Sequence, residues 1–135
     1  MDHDLRWASL TTRPREELAK IYWSDAQLED VAIDYESVSL RIRQTDRKIV
    51  TLRAAGYIGY QVVGFWDEMV IERVEVVEDH PGLRACVDSI KKRYKAEWPE
   101  TGSDARNSQR WFALLVHLID GCVLEIYAAA LVADV

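Results

Sequence analysis

The sequence contains few of the residues that mark common catalytic and metal sites. Its 135 residues include two cysteines and three histidines, and neither type shows the spacing of metal ligands. Cys86 and Cys122 are therefore expected to be free thiols. The sequence has no phosphate-binding loop, dinucleotide fingerprint or nucleophile elbow. These absences favour a non-enzymatic function without excluding an enzyme, and we expect no metal and no cofactor.

An excess of positive charge and a long uninterrupted apolar run are also missing. There are 17 Lys and Arg residues against 23 Asp and Glu, a formal net charge of −6, which argues against binding nucleic acid through its phosphates. The chain opens with Asp2 and Asp4, the wrong charge for a signal peptide. Asp120 and Glu125 interrupt the apolar tail, so a membrane span is not expected. The sequence predicts a cytoplasmic protein.

The hydrophobic pattern predicts a single α+β domain over residues 1–135. From Leu28 onward, apolar residues alternate with polar ones in several short segments, which is typical of half-buried antiparallel strands. Their even spacing predicts a strongly curled sheet, a half-barrel or small barrel, of about six or seven strands. Within it, Lys48 to Ala54 and Tyr57 to Val63 are expected to pair with each other across Gly56.

Two helices and one further hairpin complete the expected fold. A short N-terminal helix is predicted from Pro14 to Tyr22, and the main helix from Leu83 to Tyr94. Asp120-Gly121 lies between two apolar runs and predicts a type I′ hairpin turn. In the alternative interpretation, residues 111–119 form a helix that ends at this glycine.

The candidate site is the stretch from Gly56 to Glu68, where three glycines alternate with aromatic residues and two carboxylates follow. Aromatic residues are enriched at binding hot spots, but glycines in strands also form bulges that aromatic rings cover, so both interpretations remain open. Acidic residues beyond the stretch would suit a basic partner protein. No residue is predicted to be catalytic or to bind metal, and the predicted binding residues are Tyr57, Tyr60, Phe65, Trp66, Asp67, Glu68 and Glu72.

Part of the chain resembles several small bacterial families, including immunity proteins of polymorphic toxin systems. The resemblance lies in Trp23-Ser24-Asp25-Ala26 before the first strands, and in the alternation of Cys122, Leu124 and Ile126 near the end. Ser24 occupies a position where those families usually have histidine. The resemblance implies a non-catalytic inhibitor that binds a cognate toxin.

Three functions are compatible with these features. The first is a non-catalytic protein-binding module, such as an immunity-type inhibitor, with a basic partner and with homodimerisation left open. The second is a small-molecule carrier in which the curled sheet encloses an apolar pocket lined by the four aromatic residues of the site. The third is a small enzyme that uses paired carboxylates among Asp67, Glu68 and Glu72. A filled interior favours the first, an empty concave one the second, and a buried carboxylate pair the third.

Overall fold

The computed structural model describes residues 11–93 and 111–135, which form an α+β fold with two helices and eight strands. The strands make two four-stranded antiparallel sheets, with the order β1-β2-β3-β8 in the first sheet and β4-β7-β6-β5 in the second sheet. In chain order the elements are α1 (residues 11–18), β1 (Gln27–Ile33), β2 (Ser37–Arg43), β3 (Ile49–Ala55), β4 (Gly59–Val63), β5 (Ile71–Val77), α2 (Pro81–Arg93), β6 (Phe112–Leu118), β7 (Val123–Ala128) and β8 (Ala130–Asp134).

The second sheet is the middle layer between two hydrophobic cores. Its inner face, with Phe112 and Leu114 of β6, packs against the first sheet. Its outer face, with Ala113 and Leu115, packs against α2. Both faces of β6 are therefore buried, which explains why its sequence is apolar at every position except His117 rather than alternating.

Two segments of the chain pass from one sheet to the other at neighbouring points. β3 in the first sheet leads into β4 in the second, and β7 in the second leads into β8 in the first. The Ala129 amide donates a hydrogen bond of 3.1 Å to the Ala55 carbonyl, which ties the two crossings together. Gly56 has a φ of 63° there, a left-handed conformation that favours glycine. The predicted pairing of β3 with β4 is wrong, because β3 pairs with β2 and β8 while β4 pairs with β7.

The β2–β3 and β6–β7 hairpins have closely similar three-residue loops, residues 45–47 and 119–121. In each, a single residue at the third position has a left-handed φ: 69° at Arg47 and 89° at Gly121. In each, the central aspartate accepts a hydrogen bond from the amide two residues later. The hairpin predicted at Asp120-Gly121 is confirmed, but its loop has three residues instead of the two of a type I′ turn.

The α+β class, the antiparallel pairing and both helices are confirmed. α1 occupies residues 11–18, somewhat earlier than predicted, and α2 begins at Pro81; Tyr94, the predicted end of α2, lies outside the described residues. Within the described ranges the strands number eight, not six or seven, and neither sheet is closed or strongly curled. Neither helix of the described residues has the length and apolar character needed to cross a membrane.

Candidate functional site

The structure separates the predicted binding residues into two groups at opposite ends of β4. Tyr57 precedes the strand, is half-buried against the core between the sheets, and donates a hydrogen bond of 2.8 Å to the Asp34 carbonyl. The Tyr60 ring lies beside it, with a centroid separation of 6.1 Å. Phe65 and Trp66 follow the other end of β4, after five residues of strand that span roughly 17 Å. Tyr57 is thus part of the structural framework, and the two later aromatic residues belong to a different surface.

Phe65 and Trp66 lie in the loop of residues 64–70, which connects opposite edges of the second sheet. Because β4 and β5 are the two edge strands, this loop crosses the ends of β7 and β6, where the hairpin loop 119–121 lies. Gly64 has a φ of 104°, and a Cβ atom there would lie 3.3 Å from the Cα of Cys122. Farther along, the Ile119 amide donates to the Val70 carbonyl at 3.1 Å. The crossing loop therefore packs closely on the hairpin at both of its ends.

The carboxylate of Asp120 fixes the middle of the crossing loop. Its Oδ2 accepts hydrogen bonds from the amides of Asp67 at 2.8 Å and Glu68 at 2.9 Å, while its Oδ1 accepts the Cys122 amide at 2.8 Å. These bonds stabilise the charged form, with the bond from Asp67 as the largest cause, and hold the pKa of Asp120 below its ordinary value. One aspartate thus connects the hairpin to the loop that presents the aromatic residues.

The two aromatic rings of this loop are exposed on the outside of the molecule. Phe65 is 81% exposed and Trp66 is 39% exposed. Met69 and Ile119 are also exposed large apolar residues at the same end of the second sheet. We call Phe65, Trp66, Met69 and Ile119 the end surface. Singly exposed apolar residues are ordinary, but several at one end of a sheet are typical of an interaction site.

The three predicted carboxylates border the end surface and are all exposed. Asp67 and Glu68 lie in the crossing loop, where their backbone amides, but not their side chains, bind Asp120. Glu72 lies in β5, where the strand pairing shifts by one residue between Ile71 and Arg73. None of the three side chains is buried, so the geometry supplies no desolvated carboxylate pair for acid–base chemistry at this position.

A second group of polar residues, which the sequence analysis did not identify, lies between α2 and the outer face of the second sheet. Oε1 of the buried Glu125 accepts a hydrogen bond from the Tyr127 hydroxyl at 2.5 Å and one from Gln61 Nε2 at 2.8 Å. His80 Nε2 lies 3.6 Å from the same oxygen. Burial and the neighbouring carboxylate raise the pKa of Tyr127, so its hydroxyl stays a donor. The only hint in the sequence is a single carboxylate inside an apolar segment.

This polar cluster lies where the start of α2 packs on the sheet. It contains no activated nucleophile. His80 Nδ1 accepts a hydrogen bond from the Gly82 amide at 3.1 Å, which places the proton of the neutral ring on Nε2, facing Glu125. Burial raises the pKa of the nearby Cys86 thiol, which disfavours the thiolate. The arrangement therefore fits a structural hydrogen-bonded network better than a catalytic triad.

Two further observations bear on the chemistry of the chain. Among residues 11–93 and 111–135, no three His, Cys, Asp or Glu side chains group closely enough to hold a metal ion. Cys86 and Cys122 are free thiols. Comparison with protein-family models and with curated proteins finds no match to this chain.

We predict that Asp120→Asn loosens the crossing loop without unfolding the protein. Asparagine keeps one acceptor oxygen, so it cannot serve both the Cys122 amide and the pair of amides from Asp67 and Glu68. Amide hydrogen exchange at Asp67 and Glu68 should become faster. The matched control is Asp46→Asn, since Asp46 occupies the same position in the other hairpin loop and binds Lys48 but not a crossing loop.

The same restraint should depend on pH in the wild-type protein. The folded-state pKa of Asp120 is depressed, so the restraint is complete above the ordinary aspartate value of about 3.9 and is lost as the pH falls through the lower folded value. Equal exchange rates at Asp67 and Glu68 in the wild type and Asp120→Asn would show that this carboxylate does not hold the loop.

We predict that Gly82→Ala destabilises the protein, against the trend of helix propensity. Alanine in a helix is ordinarily more stable than glycine by about 0.8–1 kcal/mol. Here the added Cβ would lie 1.9 Å from the Tyr127 hydroxyl oxygen, and that ring is only 2% exposed. Displacing it should cost about 1–3 kcal/mol of unfolding free energy, measured by urea denaturation. Ser89→Ala, on an exposed position of α2, should change stability by less than about 0.5 kcal/mol. A more stable Gly82→Ala protein would refute this packing.

Proposed function

We propose that this protein is a non-catalytic binding module for a basic protein, and that the partner docks on the end surface. The observation that carries the proposal is the exposure of Phe65 and Trp66 on a loop whose backbone is held by hydrogen bonds to the Asp120 carboxylate. Large aromatic side chains with few rotatable bonds are the commonest anchors of protein interfaces.

The fixed backbone of the crossing loop favours binding because less conformational freedom is lost on association. Ordering a loop at an interface reduces affinity, and a loop that is already ordered avoids much of that loss. Asp120 supplies the order through the amides directly following Trp66. The backbone that carries the exposed Phe65 and the partly exposed Trp66 therefore has little remaining freedom.

The charges around the end surface favour a basic partner. Asp67 and Glu68 are exposed next to the aromatic residues, Glu72 follows on β5, and the whole chain carries a formal net charge of −6. The negative electrostatic potential of these charges attracts a positively charged protein over a distance of about one Debye length, roughly 8 Å at physiological salt. The acidic residues would therefore raise the association rate, while the aromatic residues supply most of the affinity.

The interior of the protein also supports a surface function. The space between the sheets is filled by large side chains with almost no solvent exposure, including Phe112, Leu40 and Ile126. Among the described residues, Phe65 and Trp66 lie at the other end of β4 from Tyr57 and Tyr60, so the four aromatic residues do not converge on one pocket of the kind that a carrier would need. Within this proposal, a toxin is the particular partner that the resemblance to immunity proteins implies.

The test is a titration of the purified protein with the purified product of the gene adjacent to its own, monitored by biolayer interferometry. We expect binding that Trp66→Ala weakens by about 2 kcal/mol or more, roughly 30-fold in Kd, chiefly through faster dissociation. Phe65→Ala should weaken it in the same way. The double variant Asp67→Asn with Glu68→Gln should slow association, and this difference should shrink as salt is added.

Matched controls lie in the β1–β2 loop, at the end of β1 that is farther from the crossing loop. Tyr35 is 97% exposed and Glu36 is also exposed, both in the β1–β2 loop. Tyr35→Ala and Glu36→Gln should leave both Kd and association rate unchanged. The proposal fails if no binding occurs, or if Trp66→Ala and Phe65→Ala bind as tightly as the wild type. If Trp66→Ala or Phe65→Ala lowers the Tm of the free protein by many degrees, that side chain is structural, and the proposal that it anchors a partner is wrong.

A further inference from the structure

Strand β4 has one hydrogen-bonding side that no strand of the described residues occupies. It is the edge strand of the second sheet and pairs with β7 alone. Tyr60 and Val62 are each 46% exposed, and every residue from Tyr60 to Val63 is exposed. Unpaired edges of this kind readily accept another strand.

The hydrogen-bond alternation shows which backbone groups of β4 face away from β7. The Leu118 amide donates to the Cys122 carbonyl, so residues 118 and 122 form a hydrogen-bonded pair between β6 and β7. By alternation along β7, the backbone groups of Glu125 then point toward β4, where its partner is Gln61. The N–H and C=O groups of Tyr60 and Val62 must therefore point away from the sheet.

Within residues 11–93 and 111–135, the other edges of the two sheets carry side-chain or backbone contacts that are not seen on the outer edge of β4. In β8, the Ala133 amide donates to the Glu17 carboxylate at 3.0 Å. In β5, the Val76 carbonyl accepts a hydrogen bond from Arg15 at 3.3 Å, and Val70, just before that strand, pairs with Gln27 of β1. By contrast, residues 59–66 contain no charged residue and no proline, the two kinds of residue that usually protect an edge.

We propose that β4 pairs with β4 of a second copy of this chain, antiparallel and about a two-fold axis at Gln61. This register places Tyr60 opposite Val62 of the second copy. Both residues direct their backbone groups outward, so the two symmetric pairs can form four hydrogen bonds. An aromatic residue beside a β-branched one is also a favourable cross-strand pair.

The charge pattern makes this edge a place where a second copy can approach. Each copy has a formal net charge of −6, so two copies repel each other at most contacts. Residues 59–66 carry no ionisable group except Tyr60, and pairing along β4 therefore sets no like charges opposite each other. This inference does not depend on the basic partner proposed above, because the end surface lies beyond β4 and contributes no residue to the pairing.

The test is sedimentation equilibrium of the whole protein over a wide concentration range. The wild type should shift from 15.6 kDa toward twice that mass as the concentration rises. Val62→Pro removes an outward N–H group that the pairing with β7 does not use, and should remain monomeric at every concentration. Val62→Lys places like charges near the axis and should do the same. Val62→Thr, which keeps the amide and the branched Cβ, should still dimerise.

Thermal melts of all the variants separate loss of pairing from loss of folding, and Val62→Lys tests the proposal if the proline variant does not fold. Phe65→Ala should dimerise like the wild type, so failure of the end surface as a docking site would leave this result unaffected. A wild type that sediments at 15.6 kDa throughout would overturn the proposal. Dimerisation of Val62→Lys equal to that of the wild type would overturn it as well.

Discussion

The carboxylate of Asp120 is the interaction on which the geometry of the end surface depends. The order of the second sheet requires residues 64–70 to cross from one edge to the other, and this carboxylate binds two amides of the crossing loop and one of its own hairpin. Its low pKa keeps it charged, so it remains an acceptor for all three amides. Without it, Phe65 and Trp66 would lie on a loop tied to the hairpin only at its ends.

Local sequence patterns predicted the elements of this fold but not how they are assembled. Alternation along β2 and the Asp-Gly dipeptide of the second hairpin identify strands and turns because these signals depend on neighbouring residues. They carry no information on which distant strand pairs with which. The chain changes sheets near Gly56, between β3 and β4, and again near Ala129, between β7 and β8. Strand β4 therefore lies in the second sheet and pairs with β7 instead of β3.

The candidate site was partly predictable for the same reason. Phe65, Trp66, Asp67 and Glu68 are adjacent in sequence and stay together in the structure, whereas Tyr57 is separated from them by the length of β4. Asp120 and Glu125 act through contacts with residues more than fifty positions away. Asp120 lies in a turn between two apolar runs and Glu125 lies inside the second run. Such isolated carboxylates indicate that polar partners are needed, but the sequence does not identify those partners.

The proposed docking on the end surface requires that the crossing loop is ordered in the free protein. The most direct measurement is the backbone ¹⁵N order parameter of Phe65, Trp66, Asp67 and Glu68 in the free protein. Values near those of a rigid backbone, about 0.85, are expected for all four amides. Values below about 0.6 would contradict the account, because the aromatic residues would then be presented by a flexible loop and their ordering would oppose binding.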